Sequence, residues 1–316
     1  MVAGEARQDT PSRSAYGVAL LRAQHQVAEG GSIFPDPLAI PITGANPENL
    51  ARRAEQFPHL AVFRNYIATR SRFAEDCLAK AVDRGVRQIV SLGAGLDTFG
   101  LRNPYAERGV RVFEVDRPAT QMWKRRCLTK ANLPIPPSLT FVAVDFENGS
   151  FLKPLASSGF KMREPAFFIW LGVVSYLSRK AIAATLTTIA TVPDAEIVFD
   201  YGEPLASIPP QGRAGYKSVI ARMSAAGEPW VSFFTPAEIA SGLPKLGFSD
   251  IEDLGSGELD ARYPGVGSPT GAHRVRACVK PGRGRSRFSS PRPFHRFSMG
   301  PGRGGPKNAR RQPDEP

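Results

Sequence analysis

One short stretch, residues 88–98, constrains the fold of this chain more than any other part. It has the sequence QIVSLGAGLDT, an apolar run that ends in two glycines separated by one residue. Such a pattern is typical of a buried parallel strand that stops beneath a bound ligand. Gly93 and Gly95 have no Cβ, so the backbone can turn sharply there and lie against a cofactor.

A second strand-like run follows at residues 110–116 and has the sequence VRVFEVD. A glycine turn followed by an acid at the end of the next strand is how doubly wound α/β sheets hold a nucleoside. Side chains alternate along a strand, so Glu114 and Asp116 share one face, and either carboxylate can accept the ribose hydroxyls. The alternative is an ion pair of these acids with Arg117 or Lys124.

The glycine pattern also limits the kind of nucleoside that can bind. A dinucleotide fingerprint has a third glycine at the sixth place, where this chain has Thr98. That glycine lets helix and strand pack closely around a pyrophosphate, so its absence disfavours a nicotinamide dinucleotide. S-adenosylmethionine has a nucleoside without phosphates and does not need the third glycine.

Strand-like and helix-like segments then alternate, which predicts an α/β fold with a parallel sheet and helices on both faces. The predicted strands, including two closing strands, span residues 88–92, 110–115, 139–145, 165–171, 196–201, 248–254 and 274–279. The predicted helices span residues 15–28, 65–84, 118–133, 178–191 and 217–225. A capping-box sequence, TPAE at residues 235–238, predicts the start of another helix.

The same pattern predicts how the chain is divided. Residues 15–280 form one domain, in which a helical cap over residues 15–85 precedes an α/β core over residues 86–280. An insertion at about residues 207–232 follows the fifth strand. Loops at this edge of a parallel sheet commonly shape the ligand site, so we expect the insertion to form the substrate pocket.

Four further residues are candidates for contact with ligands. Asp145 and Phe146 follow the third strand, where the acid can take an adenine amino group and the ring can stack; the alternative for Asp145 is a helix N-cap. Arg70 precedes the first strand and can bind a cofactor carboxylate as a charge-assisted fork, or lie on a solvated helix face. Tyr176 follows the fourth strand and either lines the substrate pocket or packs in the core.

The net charge of +12 does not predict a nucleic-acid-binding domain, because much of it lies in one tail. Residues 281–316 contain nine basic and two acidic residues, which leaves a mild charge on the rest of the chain. This tail is rich in Gly, Pro and Arg, and residues 1–14 are polar, so we expect both ends to be disordered. Contact with nucleic acid is expected only as nonspecific binding by the tail.

No signal-peptide pattern and no apolar run of bilayer length is present, which predicts a cytoplasmic protein without a membrane partner. The three scattered cysteines fit a reducing compartment. Neither they nor the four histidines have metal-ligand spacing, so no metal site is predicted. The absence of a nucleophile elbow and of a phosphate-binding loop disfavours hydrolases and kinases. The oligomeric state is left open.

Four stretches together have a familiar form. They are YIATRSRF at residues 66–73, LGAGLDT at 92–98, FEVDRP at 113–118 and WLGVVSYL at 170–177. With them, the chain resembles the leucine carboxyl methyltransferase-like family of class I S-adenosylmethionine-dependent methyltransferases, including its bacterial branch of polyketide and small-molecule O-methyltransferases. The resemblance extends from about residue 15 to residue 279.

The resemblance implies a Rossmann-like sheet of seven mostly parallel strands, with the last strand antiparallel, and S-adenosylmethionine as methyl donor. By position, Arg70 would hold the methionine carboxylate and the backbone of Gly93 would approach the cofactor. Asp116 would take the ribose hydroxyls, and Asp145 and Phe146 would hold adenine. The family often has Glu at the place of Leu171, so this chain lacks one polar cofactor contact there.

These expectations predict in-line methyl transfer to a small-molecule carboxylate or hydroxyl. No residue stands out as a catalytic base; Glu203 and Tyr176 are candidates for that role or for substrate contact, and Trp230 and Phe233 are expected to line the substrate pocket. Two alternatives remain. A nicotinamide-dependent oxidoreductase is disfavoured by Thr98, whereas Leu171 favours a binding protein that keeps the fold without catalysis.

Overall fold

The computed structural model describes residues 12–145, 151–263 and 273–279 and contains one sheet of seven strands in these ranges. The strand order is β3-β2-β1-β4-β5-β7-β6. The strands are β1 Gln88–Leu92, β2 Arg111–Asp116, β3 Leu139–Ala143, β4 Ala166–Trp170, β5 Glu196–Gly202, β6 Ser249–Leu254 and β7 His273–Val279. β1 to β5 are parallel, and β7 is antiparallel to both β5 and β6. The predicted α/β sheet is therefore confirmed, including the antiparallel strand.

Eleven α-helices lie in the described ranges and surround this sheet. They are α1 Arg13–Ala28, α2 Ala39–Thr43, α3 Pro47–Gln56, α4 Ala61–Asp83, α5 Phe99–Arg102, α6 Pro118–Lys130, α7 Leu152–Ser157, α8 Arg179–Ile189, α9 Pro210–Ala225, α10 Pro236–Gly242 and α11 Ser256–Arg262. None of the helices in the described part of the chain is long and apolar enough to cross a membrane.

Apolar side chains fill both faces of the sheet. On one face, Val90, Phe113 and Phe168 are buried together with residues of α7 and α8. On the other, Ile89 and Phe167 are buried in a cluster that includes residues of α4. A strand covered on both faces needs a nearly continuous apolar run, which is the pattern that β1 and β4 have.

The first helix begins earlier than predicted. Ser12 is its N-cap and accepts a hydrogen bond from the Ala15 amide at 3.2 Å. The carboxylate of Glu228 accepts hydrogen bonds from the amides of Arg13 and Ser14 at 3.0 and 2.7 Å. Disorder up to residue 14 is therefore wrong for its last three residues, because local capping and a distant acid satisfy the first helical turn. Residues 1–11 and the tail 281–316 lie outside the described residues.

The segment between β5 and α10 also contains more helix than predicted. α9 extends from Pro210 to Ala225, about two turns beyond the predicted 217–225. Pro210 begins the helix at N1, where a missing amide hydrogen is tolerated. The predicted helix was too short because Gly212 and Gly215 have low helix propensity. The predicted capping box of α10 is confirmed by reciprocal hydrogen bonds between Thr235 and Glu238.

Candidate cofactor and substrate site

The glycine turn follows β1 at the carboxyl edge of the sheet. Gly93 and Gly95 have φ angles of +67° and +52°, which an L-residue with a side chain rarely adopts. A Cβ on Gly93 would lie 2.5 Å from Cγ2 of Val173, and one on Gly95 would lie 2.9 Å from Cβ of Ala15. Both positions therefore require glycine for its backbone angle and for the close approach of another segment.

Asp116 lies directly against this turn. Its Oδ2 accepts a hydrogen bond from the Gly95 amide at 2.6 Å, and its Oδ1 accepts one from the Arg117 amide at 2.7 Å. Burial raises the pKa of Asp116 above its ordinary value, and these two backbone hydrogen bonds oppose the rise. A carboxylate has lone pairs beyond these two bonds, so Asp116 retains acceptor capacity for hydroxyl groups.

Glu114 has a different environment, although it lies on the same strand. Its carboxylate accepts a hydrogen bond from Lys124 Nζ at 2.5 Å, and both side chains are almost completely buried. Lys124 also donates to the backbone oxygen of Asp97 at 2.5 Å. The ion pair that the sequence left open is thus the arrangement observed, and it is Asp116 that meets the glycine turn.

The place of the third glycine is occupied by a buried hydroxyl. Thr98 donates a hydrogen bond to Oδ2 of Asp36 at 2.7 Å and accepts one from Nε of Arg102 at 3.1 Å. Arg22 of α1 pairs with Asp97 at 2.8 Å, and its charge and those of neighbouring cations hold the pKa of Asp97 below its ordinary value against burial. Polar side chains from three other parts of the chain therefore pack against the end of the turn.

Arg70 is buried at the same edge of the sheet and does not lie on a solvated helix face. Its Nη1 donates to Oδ2 of Asp200 at 2.5 Å, and Tyr66 donates to the same oxygen at 3.3 Å. The Gly172 amide donates to the other oxygen, Oδ1, at 2.5 Å. Burial favours a lower pKa for Arg70, but the charge of Asp200 raises it above its ordinary value. The guanidinium is therefore a permanent buried cation, and Asp200 is its anionic partner within the described part of the chain.

Two consecutive residues connect Arg70 to the glycine turn. A Cβ on Gly172 would lie 2.9 Å from Nη2 of Arg70, and the next residue, Val173, contacts Gly93. The Nε atom of Arg70 is buried and has no hydrogen-bond partner among the described residues. A buried guanidinium nitrogen without a partner is costly, and a ligand carboxylate would satisfy it.

Asp145 lies at the same edge, two residues beyond the end of β3, and it is half-buried. The preceding residue, Val144, donates its amide to the backbone oxygen of Asp116 at 2.9 Å, which brings the exit of β3 beside the glycine turn. The other predicted adenine contact, Phe146, lies outside the described residues.

Aromatic residues cluster beyond the ends of β4 and β5. The ring centroid of Trp230 is 6.3 Å from that of Tyr176 and 6.1 Å from that of Tyr216, which is itself 6.5 Å from Phe233. The hydroxyl of Tyr176 lies 3.6 Å from the sulfur of Met223. The structure therefore brings Tyr176, Trp230 and Phe233 together, and their role in lining a substrate pocket stays a prediction.

Backbone hydrogen bonds hold this cluster over the sheet. The amides of Val231 and Ser232 donate to the backbone oxygen of Ser175 at 2.7 and 3.2 Å, and the Phe234 amide donates to Gly202 at 3.0 Å. The segment after α9 therefore covers the carboxyl ends of β4 and β5. This is the edge at which α/β sheets bind their ligands.

Glu203 follows β5 beneath the same segment. Its carboxylate lies 3.8 Å from Nη1 of Arg274, and its backbone oxygen accepts a hydrogen bond from Tyr216 at 2.9 Å. Burial raises the pKa of Glu203, and Arg274 opposes the rise. Burial likewise raises the pKa of Tyr176.

Two site residues were missed from the sequence, Asp200 and Asp36. Asp200 is an acid between Phe199 and Tyr201 near the carboxyl end of an apolar strand, and this signal was available because buried acids require partners. Asp36 lies in a proline-bounded segment that is typical of a surface linker, and its contact with Thr98 joins residues 62 positions apart. No local pattern encodes such a contact.

With this geometry established, comparison with known proteins gives the family. The family model of leucine carboxyl methyltransferases matches residues 15–190, more than half of the chain. The chain belongs to this family. The resemblance noted in the sequence is thereby confirmed.

Curated relatives of this chain have consistent names. The "Putative S-adenosyl-L-methionine-dependent methyltransferase YktD" of Bacillus subtilis is 36% identical over 193 residues, which cover 60% of this chain and 63% of the relative. A protein of Frankia alni with the same kind of name is 32% identical over 192 residues, which cover 60% of this chain and 68% of that protein. The cofactor in these names is the one that the sequence predicts.

Two solved structures that superpose on this chain with a TM-score above 0.5 have the same fold. A DUF574-family protein from Streptomyces avermitilis has a TM-score of 0.54 at 15% identity, covering 87% of this chain and 98% of its own. A "putative methyltransferase" from Thermobifida fusca has a TM-score of 0.55 at 14% identity, covering 87% and 96%. At this identity the likeness shows the Rossmann-like fold alone.

Proposed function

We propose that this chain is an S-adenosylmethionine-dependent methyltransferase that methylates an oxygen of a small-molecule carboxylate or hydroxyl. The observation that carries the proposal is the convergence of the glycine turn, Asp116 and Arg70 at one edge of the sheet. Asp116 supplies hydrogen-bond acceptors for ribose, and the backbone at Gly93 allows a ligand to approach closely. Arg70 supplies a buried cation whose Nε has no partner among the described residues. This set fits a nucleoside joined to an amino-acid carboxylate.

Each of these groups has a distinct task in binding. Arg70 binds the methionine carboxylate through its buried guanidinium, and Asp116 accepts the ribose hydroxyls. Gly93 permits the close backbone approach, and Asp145 holds the adenine amino group, with Phe146 predicted beside it from the sequence. Thr98, hydrogen-bonded to Asp36, stands where a dinucleotide site has its third glycine, which disfavours a nicotinamide dinucleotide.

S-adenosylmethionine supplies a methyl group already activated by its sulfonium, so the chain's own residues mainly align the acceptor with it. Tyr176 and Trp230 form the wall of the acceptor pocket, within the segment of residues 207–232. For a hydroxyl acceptor, Glu203 is the candidate base, because burial raises the pKa of its carboxyl toward neutrality. A carboxylate acceptor needs no base.

Two experiments test this function. Calorimetric titration with S-adenosylmethionine and with NAD is expected to give binding only for the first, and the opposite result would contradict the proposed cofactor and favour the oxidoreductase alternative. A screen with methyl-labelled S-adenosylmethionine over carboxylates, phenols and polyketide-like alcohols is expected to label an oxygen. Binding of the cofactor without label transfer to any acceptor class would favour a non-catalytic binding protein.

The predicted division of the chain also has a direct test. We expect residues 15–280 to suffice for cofactor binding, with the basic tail 281–316 dispensable. Deletion of the tail should leave the affinity for S-adenosylmethionine unchanged and remove any salt-dependent binding to RNA. Loss of cofactor binding on deletion would contradict this division.

A further inference from the structure

The residue directly after β4 carries no charge. Leu171 occupies that position, is half-buried and packs against the apolar cluster that contains Ile89 and Phe167. A leucine provides no charge for the amino-acid end of a cofactor. A cation bound at this place would therefore need a negative charge from another residue.

A carboxylate from the neighbouring strand lies at this position. Trp170 of β4 pairs with Phe199 of β5, so the next residue of β5, Asp200, lies beside residue 171. Its Oδ1 accepts the amide hydrogen of Gly172, the residue directly after Leu171, at 2.5 Å. The residue is 5% exposed, at the same edge of the sheet as the glycine turn.

Asp200 and Arg70 together present two opposite charges side by side. The Oδ2 of Asp200 lies 2.5 Å from Nη1 of Arg70, while Nε of Arg70 has no partner in the described residues. Each carboxylate oxygen can accept two hydrogen bonds, so Oδ1 has capacity beyond the Gly172 amide. An α-amino acid carries its carboxylate and its ammonium on one carbon, and is therefore complementary to such a pair.

We propose that Asp200 binds the α-ammonium of the cofactor's methionine, while Arg70 binds the α-carboxylate. This inference rests on the proposed function, since it assigns one more contact in the same cofactor site. A merely structural role for Asp200, as the neutralising partner of buried Arg70, predicts a different response to ligands that lack parts of the amino acid.

Three ligands separate the two roles. S-adenosylmethionine has both the ammonium and the carboxylate, decarboxylated S-adenosylmethionine keeps the ammonium without the carboxylate, and 5′-dimethylsulfonio-5′-deoxyadenosine has neither; all three carry the sulfonium. Asp200→Asn keeps the shape of the side chain and an oxygen for the Gly172 amide but removes the negative charge. By calorimetry, we expect affinity for the decarboxylated ligand to fall about tenfold, because a charged hydrogen bond is lost. Affinity for 5′-dimethylsulfonio-5′-deoxyadenosine should stay within about twofold, since it lacks the ammonium that Asp200 would bind.

A second pair of variants tests whether the lost charge can be restored and whether any buried acid has this effect. Leu171→Glu in the Asp200→Asn protein is expected to recover most of the affinity for the decarboxylated ligand. Asp253→Asn is the matched control, because Asp253 pairs with the buried Arg276 away from the turn. This control should leave the ratios among the three ligands unchanged. Equal losses for all three ligands in Asp200→Asn would overturn the proposal, as would no loss.

The proposal stays testable if Asp200→Asn does not fold. Arg70→Met with Asp200→Asn removes the buried cation together with its anion, and is compared with Arg70→Met alone. The decarboxylated ligand does not use Arg70, so its affinity should be lower in the double variant; equal affinities would refute the role of Asp200. If the wild-type chain binds none of the three ligands, the proposed function itself fails. If it binds them and Asp200→Asn preserves their ratios, only this further inference fails.

Discussion

The hydroxyl of Thr98 donates a hydrogen bond to the carboxylate of Asp36 at 2.7 Å, and both residues are almost fully buried. This contact joins the segment after α1 to the end of the glycine turn. Arg102 contributes a second bond to Thr98 and also pairs with Glu75 of α4. The turn is thus fixed by the helices that precede the sheet as well as by its own strand.

Thr98→Val should therefore destabilise the protein without changing side-chain volume much. It leaves the Asp36 carboxylate and Nε of Arg102 each short of one hydrogen-bond partner, which costs about 1–3 kcal/mol in a buried setting. Urea unfolding measures the loss. Thr129→Val is the control, because Thr129 is exposed and bonds only within its own helix at 3.1 Å. Equal stability of the two variants would contradict a structural role for the Thr98 hydroxyl.

Gly93→Ala should cost stability and cofactor affinity together. The residue has φ of +67°, and its new Cβ would meet Val173 at 2.5 Å. Gly109→Ala is the matched control, since Gly109 has φ of +76° but no atom within 4 Å of an added Cβ. Strain costs each variant about 1–3 kcal/mol, and crowding costs Gly93→Ala a further 1–3 kcal/mol or so. Urea unfolding compares them; similar losses would show that the close approach is unimportant.

Much of the fold could be predicted from local pattern. A continuous apolar run such as residues 166–170 needs burial on both faces, and a parallel sheet with helices on both sides provides it. The first residue of a helix was less predictable where a side chain far away in the sequence caps the helix. α1 begins at Arg13 because Glu228, 215 positions away, accepts its amide hydrogen.

Some residues of the site could likewise be predicted from local sequence, and others could not. Gly93, Gly95 and Asp116 were predictable because a turn between two strands fixes their spacing, and the structure brings them together. Glu114 shares the strand face with Asp116, yet a buried lysine decides its partner, and strand alternation says nothing about that lysine. Asp200 was missed since its partners, Arg70 and Gly172, come from two other elements of the chain.

Glu114 should make stability depend on pH in a definite direction. Burial raises its pKa from 4.5 to about 7, with Lys124 opposing the rise. Between these pH values the folded state binds more protons than the unfolded state, so the free energy of unfolding falls as pH rises, then levels. The loss is on the order of 3 kcal/mol, at about 1.4 kcal/mol per pKa unit. Urea unfolding of wild type and Glu114→Gln from pH 4.5 to 8 measures it; a constant difference between them would contradict the raised pKa.

Glu228→Ala should loosen the first turn of α1. The amides of Arg13 and Ser14 lose a charged acceptor, while Ser12 still caps Ala15. Hydrogen exchange of these two amides is expected to quicken about tenfold or more, because hydrogen bonds to charged groups are the stronger kind. Glu238→Ala, which removes the capping acid of α10, should leave them unchanged. Unaltered exchange in Glu228→Ala would show that Ser12 alone holds the turn.

Trp230→Ala should weaken acceptor binding and spare the cofactor. Trp230 contacts the rings of Tyr176 and Tyr216 in the segment over β4 and β5, whereas the residues assigned to the cofactor lie around the glycine turn. With an acceptor found by the labelled-donor screen, KM for that acceptor should rise roughly tenfold, as loss of a large aromatic contact predicts. The dissociation constant of S-adenosylmethionine should change little. Trp123→Ala is the control, since that tryptophan packs against Tyr16 between α1 and α6. If both substitutions alter acceptor KM equally, or if Trp230→Ala weakens the cofactor instead, the aromatic cluster is not the acceptor wall.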